Sequence, residues 1–138
     1  DVQPKSMTLL VQKEVAERIV ARDGKESLLS LSVKAFGTPM YIRTVGRGAF
    51  KPQPNVDSAI INIEDISKER LEGVLEKHFF KILHAGFANK RKQLLPNLTS
   101  LYDKEKLLDA FLKCGIDLKS RAEDISLKVW VKLCSTIK

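Results

Sequence analysis

Met7-Thr-Leu-Leu-Val-Gln-Lys-Glu-Val-Ala-Glu-Arg-Ile-Val20 is the stretch on which the fold class turns. Its first five residues, Met7 to Val11, form an uncharged apolar run. That is the pattern of a strand buried on both faces, of the kind found in larger parallel sheets. From Gln12 the period changes. Val15, Ile19 and Val20 fall on one side of a helix running to Asp23, Glu14, Arg18 and Arg22 on the other, and Gly24 stands just past its end. A strand that feeds a helix directly is the grammar of α/β folds.

Working outward, Ser27 to Phe36 reads as a second helix stopped by Gly37. Pro39 to Val45 reads as a strand ending in the flexible Gly46-Arg-Gly48, and Ala59 to Ile63 as the returning strand that pairs with it. Near Asp65 the grammar changes. Ser67 opens one long amphipathic helix in which Leu71, Val74, Leu75, Phe79, Ile82 and Leu83 recur at three- and four-residue steps. A short basic element through Leu95 follows, then a break at Pro96-Asn97, a helix from Lys104 to Lys113 closed by Gly115, and a last helix from Ser126. The expected class is α+β: about three strands with helices over residues 1–65, then a small all-helical domain over 66–138.

With 138 residues, 43% of them hydrophobic, the chain has enough apolar material for a real core. It holds no uncharged apolar run of about 18 residues, and its first residues lack the basic-then-apolar order of a signal peptide. A cytoplasmic protein without a membrane partner is expected. Cys114 and Cys134 lie in apolar helical patterns and read as reduced structural thiols. Neither His78 nor His84 has a Cys or His partner at ligand spacing, so no metal site is expected. The net charge of +7 is uneven: residues to Asp65 carry 9 Lys and Arg against 8 Asp and Glu, those beyond it 15 against 9. A basic second half favours an anionic partner, nucleic acid being the commonest.

Two segments carry chemistry that fits such a partner. In Phe50-Lys-Pro-Gln-Pro-Asn-Val-Asp-Ser58 the prolines hold the residues before them extended, which stiffens a loop bearing an aromatic ring. A pre-ordered ring suits stacking on a nucleobase; a core plug at the start of a strand is the competing reading, and the residues alone leave both open. In Phe87-Ala-Asn-Lys-Arg-Lys-Gln-Leu94 three cations follow one another at what reads as a helix start. Adjacent helical residues fan out by about 100°, so at least two of Lys90, Arg91 and Lys92 must face solvent or phosphate. Lys119-Ser-Arg-Ala-Glu-Asp124 is a further polar cluster, better read as helix capping with an Arg121 ion pair to Glu123 or Asp124. A glycine-rich cofactor turn between strand and helix, a nucleophile elbow and paired carboxylates in a cleft pattern are all missing, so the chain shows no complete catalytic set. On composition and spacing it is a basic binding module.

Five segments stand in an order that resembles the ribosomal RNA small-subunit adenine dimethyltransferase family of the KsgA type: Val11 to Ile19 with Leu31-Ser-Val33, Phe50 to Ser58, Phe87 to Lys92, Gly115-Ile-Asp117, and Arg121-Ala-Glu123. The resemblance implies the C-terminal part of a Rossmann-like methyltransferase domain followed by an RNA-binding helical domain. It implies a parent enzyme that transfers methyl groups from S-adenosylmethionine to two adjacent adenines of small-subunit ribosomal RNA. Phe50 matches the loop aromatic that packs on the flipped-out target adenine, with Pro52 and Pro54 holding it. Lys90, Arg91 and Lys92 match the basic segment that positions phosphate, and Lys51 sits beside the stacking ring. The family's glycine-rich turn and Asn-x-Pro-Tyr motif have no counterpart here, so the chain reads as a fragment, inactive by itself and with no cofactor bound. Its partner would be small-subunit ribosomal RNA or the assembling subunit, and the edge of Met7 to Val11 would favour self-association. A non-catalytic RNA-binding or ribosome-assembly module is the alternative, and a protein-interaction module with an acidic partner the third.

Overall fold

In the computed structural model, which describes residues 2–138, the order is β1 (Met7–Gln12), α1 (Lys13–Ile19), α2 (Leu28–Lys34), β2 (Thr38–Val45), β3 (Ser58–Glu64), α3 (Glu76–Gly86), α4 (Leu94–Leu98), α5 (Lys104–Cys114) and α6 (Leu127–Thr136). Single 3-10 turns lie at Arg47–Ala49, Glu69–Leu71 and Ala122–Asp124. The chain divides into two units. One holds the residues up to Gly24 with Leu29–Arg70, the other Lys25–Leu28 with Leu71–Lys138.

In the first unit β3 lies between the other strands, in the order β1-β3-β2, and both pairings are antiparallel. β1 and β2 therefore point the same way, separated in sequence by two helices, and the last strand slots between them. The expected return of Ala59 to Ile63 onto the strand ending at Val45 is present, with Thr44 opposite Ala59 and Tyr41 opposite Ile61. The register also sets Leu9 opposite Ile61 and Val11 opposite Ala59. Successive side chains in a strand alternate faces, so these residues form one apolar face. Ala16 and Ile19 of α1, with Val15 and Val33, pack on it, and Ala16, Ala59 and Ile61 are fully buried.

The pairing slips by one residue between Tyr41 and Arg43, making Ile42 a bulge. An extra residue reverses the alternation beyond it. Tyr41 and Thr44, which would otherwise face opposite sides, meet with their hydroxyls 2.6 Å apart. The Arg22 guanidinium lies 3.9 Å above the Tyr41 ring, so the tail of the α1 segment is held to the sheet by a cation–π contact.

Three expectations for this unit need correction. β1 is not buried on both faces: Leu9 and Val11 are half-buried toward the core, while Met7 and Leu10 are 42% and 54% exposed. Nor does it pair in parallel, because its strand neighbour among the described residues is the returning β3. The first helix stops at Ile19 rather than Asp23, since Ala21 turns to a φ of 53° and the residues to Gly24 form turns.

In the second unit the long helix expected from Ser67 is broken. A 3-10 turn ends at Leu71, Glu72 and Gly73 take φ values of 51° and 85°, and α3 begins only at Glu76. Glycine reaches positive φ without steric penalty, so Gly73 ends the helical path although the apolar spacing continues in phase. Leu75, counted in that spacing, is 75% exposed and caps α3 instead. The Pro96-Asn97 break is absent too: both residues lie inside α4. Pro96 is its third residue, where an amide has no intrahelical acceptor to lose. α5 and α6 match their expected spans, with Gly115 closing α5 in the left-handed region and the Ser126 hydroxyl accepting the Val129 amide at 3.4 Å.

The four helices enclose Phe79, Ile82, Leu94, Phe111, Trp130 and Leu133, all fully buried. Phe87 stacks on Trp130 with ring centroids 5.8 Å apart. His78 Nε2 lies 2.9 Å from the Cys134 carbonyl and 2.7 Å from that of Ile137, at the C-terminal end of α6, where carbonyls lack intrahelical partners. Cys114 and Cys134 are free and buried, and burial, then the nearby Cys114, pushes the Cys134 thiol up to about 12.

Candidate nucleic-acid interface

The Phe50 loop starts from a fixed platform. The Arg47 amide donates to Asp57 Oδ1 at 2.9 Å and its guanidinium to the Asn55 carbonyl at 3.3 Å, so the two ends of the loop are tied together. The Asp57 carbonyl accepts the Lys13 amide at 2.9 Å, fastening the loop to the start of α1. Between these ties Phe50 is extended, with φ −113° and ψ 149°, and Pro52 and Pro54 restrict Lys51 and Gln53 after it. The Lys51–Pro52 peptide is cis. Phe50 and Pro54 are half-buried while Lys51 and Pro52 are exposed, so the ring keeps part of its surface open. Beside the tied ends lies a cleft of about 480 Å3 lined by Gln12, Lys13, Glu14, Glu17, Arg47 and Asp57, with Val56 at its edge. Phe50 is not among its lining residues.

The three consecutive cations do not start a helix. Asn89 Oδ1 accepts the Arg91 amide at 3.0 Å and the Asn89 carbonyl accepts the Lys92 amide at 3.1 Å, so residues 89 to 92 form a turn between α3 and α4. Asparagine favours this because its side chain mimics a backbone acceptor. Lys90, Arg91 and Lys92 are all exposed and have no ion-pair partner among the described residues. A turn presents all three charges outward, where a helix would have sent one back toward the core.

Lys119 to Asp124 behaves mainly as expected. Arg121 pairs with Glu123 at 4.0 Å, and Asp124 takes the Lys25 ammonium at 2.6 Å. That hydrogen bond, the largest influence on it, holds the Asp124 carboxyl below the usual carboxylate range. The same stretch also braces the basic turn: Ser120 accepts the Leu94 amide at 2.8 Å and the Arg121 guanidinium donates to the Arg91 carbonyl at 3.4 Å. Phe50, Lys51, Pro52 and Pro54 belong to the first unit; Lys90, Arg91 and Lys92 belong to the second.

Residue spacing did not single out Arg47, Asp57 or Asn97, which shape these segments from behind. Among the described residues no cluster of three His, Cys, Asp or Glu side chains is placed to hold a metal, and no helix is long and apolar enough to cross a membrane.

An antiparallel three-strand sheet followed in the chain by a four-helix unit is a fold that solved structures share. A dimethyladenosine transferase from Plasmodium falciparum matches with a TM-score of 0.77 at 24% identity, covering 94% of this chain and 55% of that one. The 23S rRNA methyltransferase ErmE matches with a TM-score of 0.74 at 21% identity, covering 96% and 55%. The chain belongs to the ribosomal RNA adenine dimethylase family, whose model matches residues 2–138. It is 44% identical to the ribosomal RNA small subunit methyltransferase A of Dehalococcoides mccartyi strain CBDB1 over 96% of its length, and 41% identical to that of Fusobacterium nucleatum over 91%. It spans 46% and 48% of those two proteins, about half the length of the relatives it matches.

Proposed function

We propose that the chain is the RNA-facing portion of an S-adenosylmethionine-dependent enzyme that dimethylates two adjacent adenines of small-subunit ribosomal RNA. The family match along residues 2–138 carries this reading, and the tied Phe50 loop and exposed cationic turn support it. Phe50, held by Pro52 and Pro54, stacks on an extruded base and offsets part of the stacking lost from the RNA. Lys51, Lys90, Arg91 and Lys92 contact phosphate. The junction from β1 to α1 at Gln12-Lys13 has no glycine, which supports the reading that the chain by itself does not hold S-adenosylmethionine.

The reading is tested on single-stranded RNA bearing an unpaired adenine. Phe50→Ala weakens binding by about five- to a hundredfold, from the roughly 1–3 kcal/mol of a base–aromatic stack, and Phe50→Trp retains it. Equal affinity of the alanine variant would return the ring to the role of core plug. The chain alone neither binds S-adenosylmethionine nor transfers methyl groups, and saturable heat of cofactor binding in calorimetry would overturn that statement. The free edge of β1, with Met7 and Leu10 exposed, supports self-association in concentrated solution. Light scattering should show mass rising with concentration and Leu10→Lys suppressing the rise; a constant monomer mass would count against it.

A further inference from the structure

Resting on the RNA reading above, we propose that Asn97 and Asn89 form a two-asparagine clamp that pre-sets the cationic turn Lys90–Lys92 as a phosphate-binding knuckle, both acting as positioning residues. Asn97 lies on α4 and is 9% exposed, one of the few polar side chains in the core. Its Nδ2 donates to the Gly86 carbonyl at 2.8 Å and to the Asn89 carbonyl at 3.0 Å. One amide group thus joins the end of α3 to the first residue of the turn. Asn89 continues the clamp, its side chain accepting the Arg91 amide and its carbonyl the Lys92 amide. From the opposite side Arg121 donates to the Arg91 carbonyl. The backbone of the turn is therefore engaged by hydrogen bonds from two directions.

The side chains show the opposite condition. Three neighbouring cations repel one another, and none has an ion-pair partner among the described residues. A turn whose backbone is fixed while its charged heads stay free resists that repulsion and meets phosphate without having to order itself first. A buried asparagine whose two donors are both used is also hard to replace: an apolar substitute takes this donor from the Gly86 carbonyl and leaves the Asn89 carbonyl with the Lys92 amide alone. If capping α3 were its whole role, the bond to Gly86 would suffice; the bond to Asn89 is the one that reaches the turn.

The experiment measures binding of a short RNA hairpin to the 138-residue chain across a salt series, for Asn97→Ala and Asn89→Ala, each alone and combined with the Lys90→Ala, Arg91→Ala, Lys92→Ala triple variant. Each asparagine variant should bind about three- to tenfold more weakly with an unchanged salt slope, because the charges remain and only their order is lost. In the triple background that loss should vanish, since there are no charges left to position. Should Asn97→Ala fail to fold, Asn89→Ala carries the test, as Asn89 is exposed. Unchanged affinity in the asparagine variants, or a loss that persists in full in the triple background, overturns the clamp while leaving the RNA reading standing. An unaltered affinity in the triple variant itself overturns both.

Discussion

Gly86→Val unfolds most of the helical unit's stability margin, with an expected loss of about 3 kcal/mol or more. Gly86 is the last residue of α3, and a Cβ there would lie 2.6 Å from Trp130 Cη2 and 2.9 Å from Leu94 Cδ1. Neither neighbour yields easily: Trp130 and Leu94 are fully buried, and the indole is stacked on Phe87. Interiors packed at crystal-like density pass such an overlap on as strain rather than absorbing it. Even Gly86→Ala should be net unfavourable, although alanine regains about 1 kcal/mol of helix propensity. The comparison is Gly48→Ala, where no heavy atom lies within 4 Å of the added carbon and little change is expected. Urea midpoints of the three variants decide it, and a Gly86→Val midpoint near that of the parent chain would show that the Trp130 site is not tightly packed.

Removing the charges of Lys90, Arg91 and Lys92 together has the largest expected effect on binding. All three are exposed on one turn with no ion-pair partner among the described residues, so each is available to displace a counterion from RNA. If each meets one phosphate, the slope of log affinity against log salt should fall by about 2 to 3, at roughly 0.7–0.9 per phosphate lost. Affinity near physiological salt should drop by about ten- to a thousandfold, since each lost contact removes roughly 0.5–1.5 kcal/mol. Folding should be unaffected because all three residues are exposed. A slope unchanged by the substitutions would remove RNA as the partner of this turn and favour the protein-interaction reading.

The parts legible in the sequence are those that local residues dictate. Gly115 closes α5 and Ser126 announces α6, because capping chemistry acts over three or four positions. The loop from Phe50 to Ser58 is legible because proline restricts its own backbone and that of its predecessor. Periodicity failed where backbone chemistry outranked it. Leu71, Val74 and Leu75 continue an apolar phase across Glu72-Gly73, yet the glycine breaks the helix and leaves Leu75 outside. Asn89 was a readable turn signal overshadowed by the three charges after it. The central position of β3 was beyond local reading, since pairing on both of its edges is decided by residues far away in sequence. Asn97 was hidden for the same reason: its partners are carbonyls of α3 and of a turn, and no side-chain pattern marks a carbonyl.

The strand order β1-β3-β2 also sets a timetable for folding. Thr8 meets Asn62 across 54 positions of chain, so the sheet closes only after that long loop has surrendered its entropy. The bonds that set the cationic turn span far less chain: Asn97 meets Gly86 across 11 positions and Asn89 across 8. During refolding the cationic turn should therefore be assembled while the aromatic loop, whose Asp57 carbonyl waits for the Lys13 amide of the distant α1, is not yet fastened to its platform. The proposed phosphate-binding surface would exist before the proposed base-stacking one.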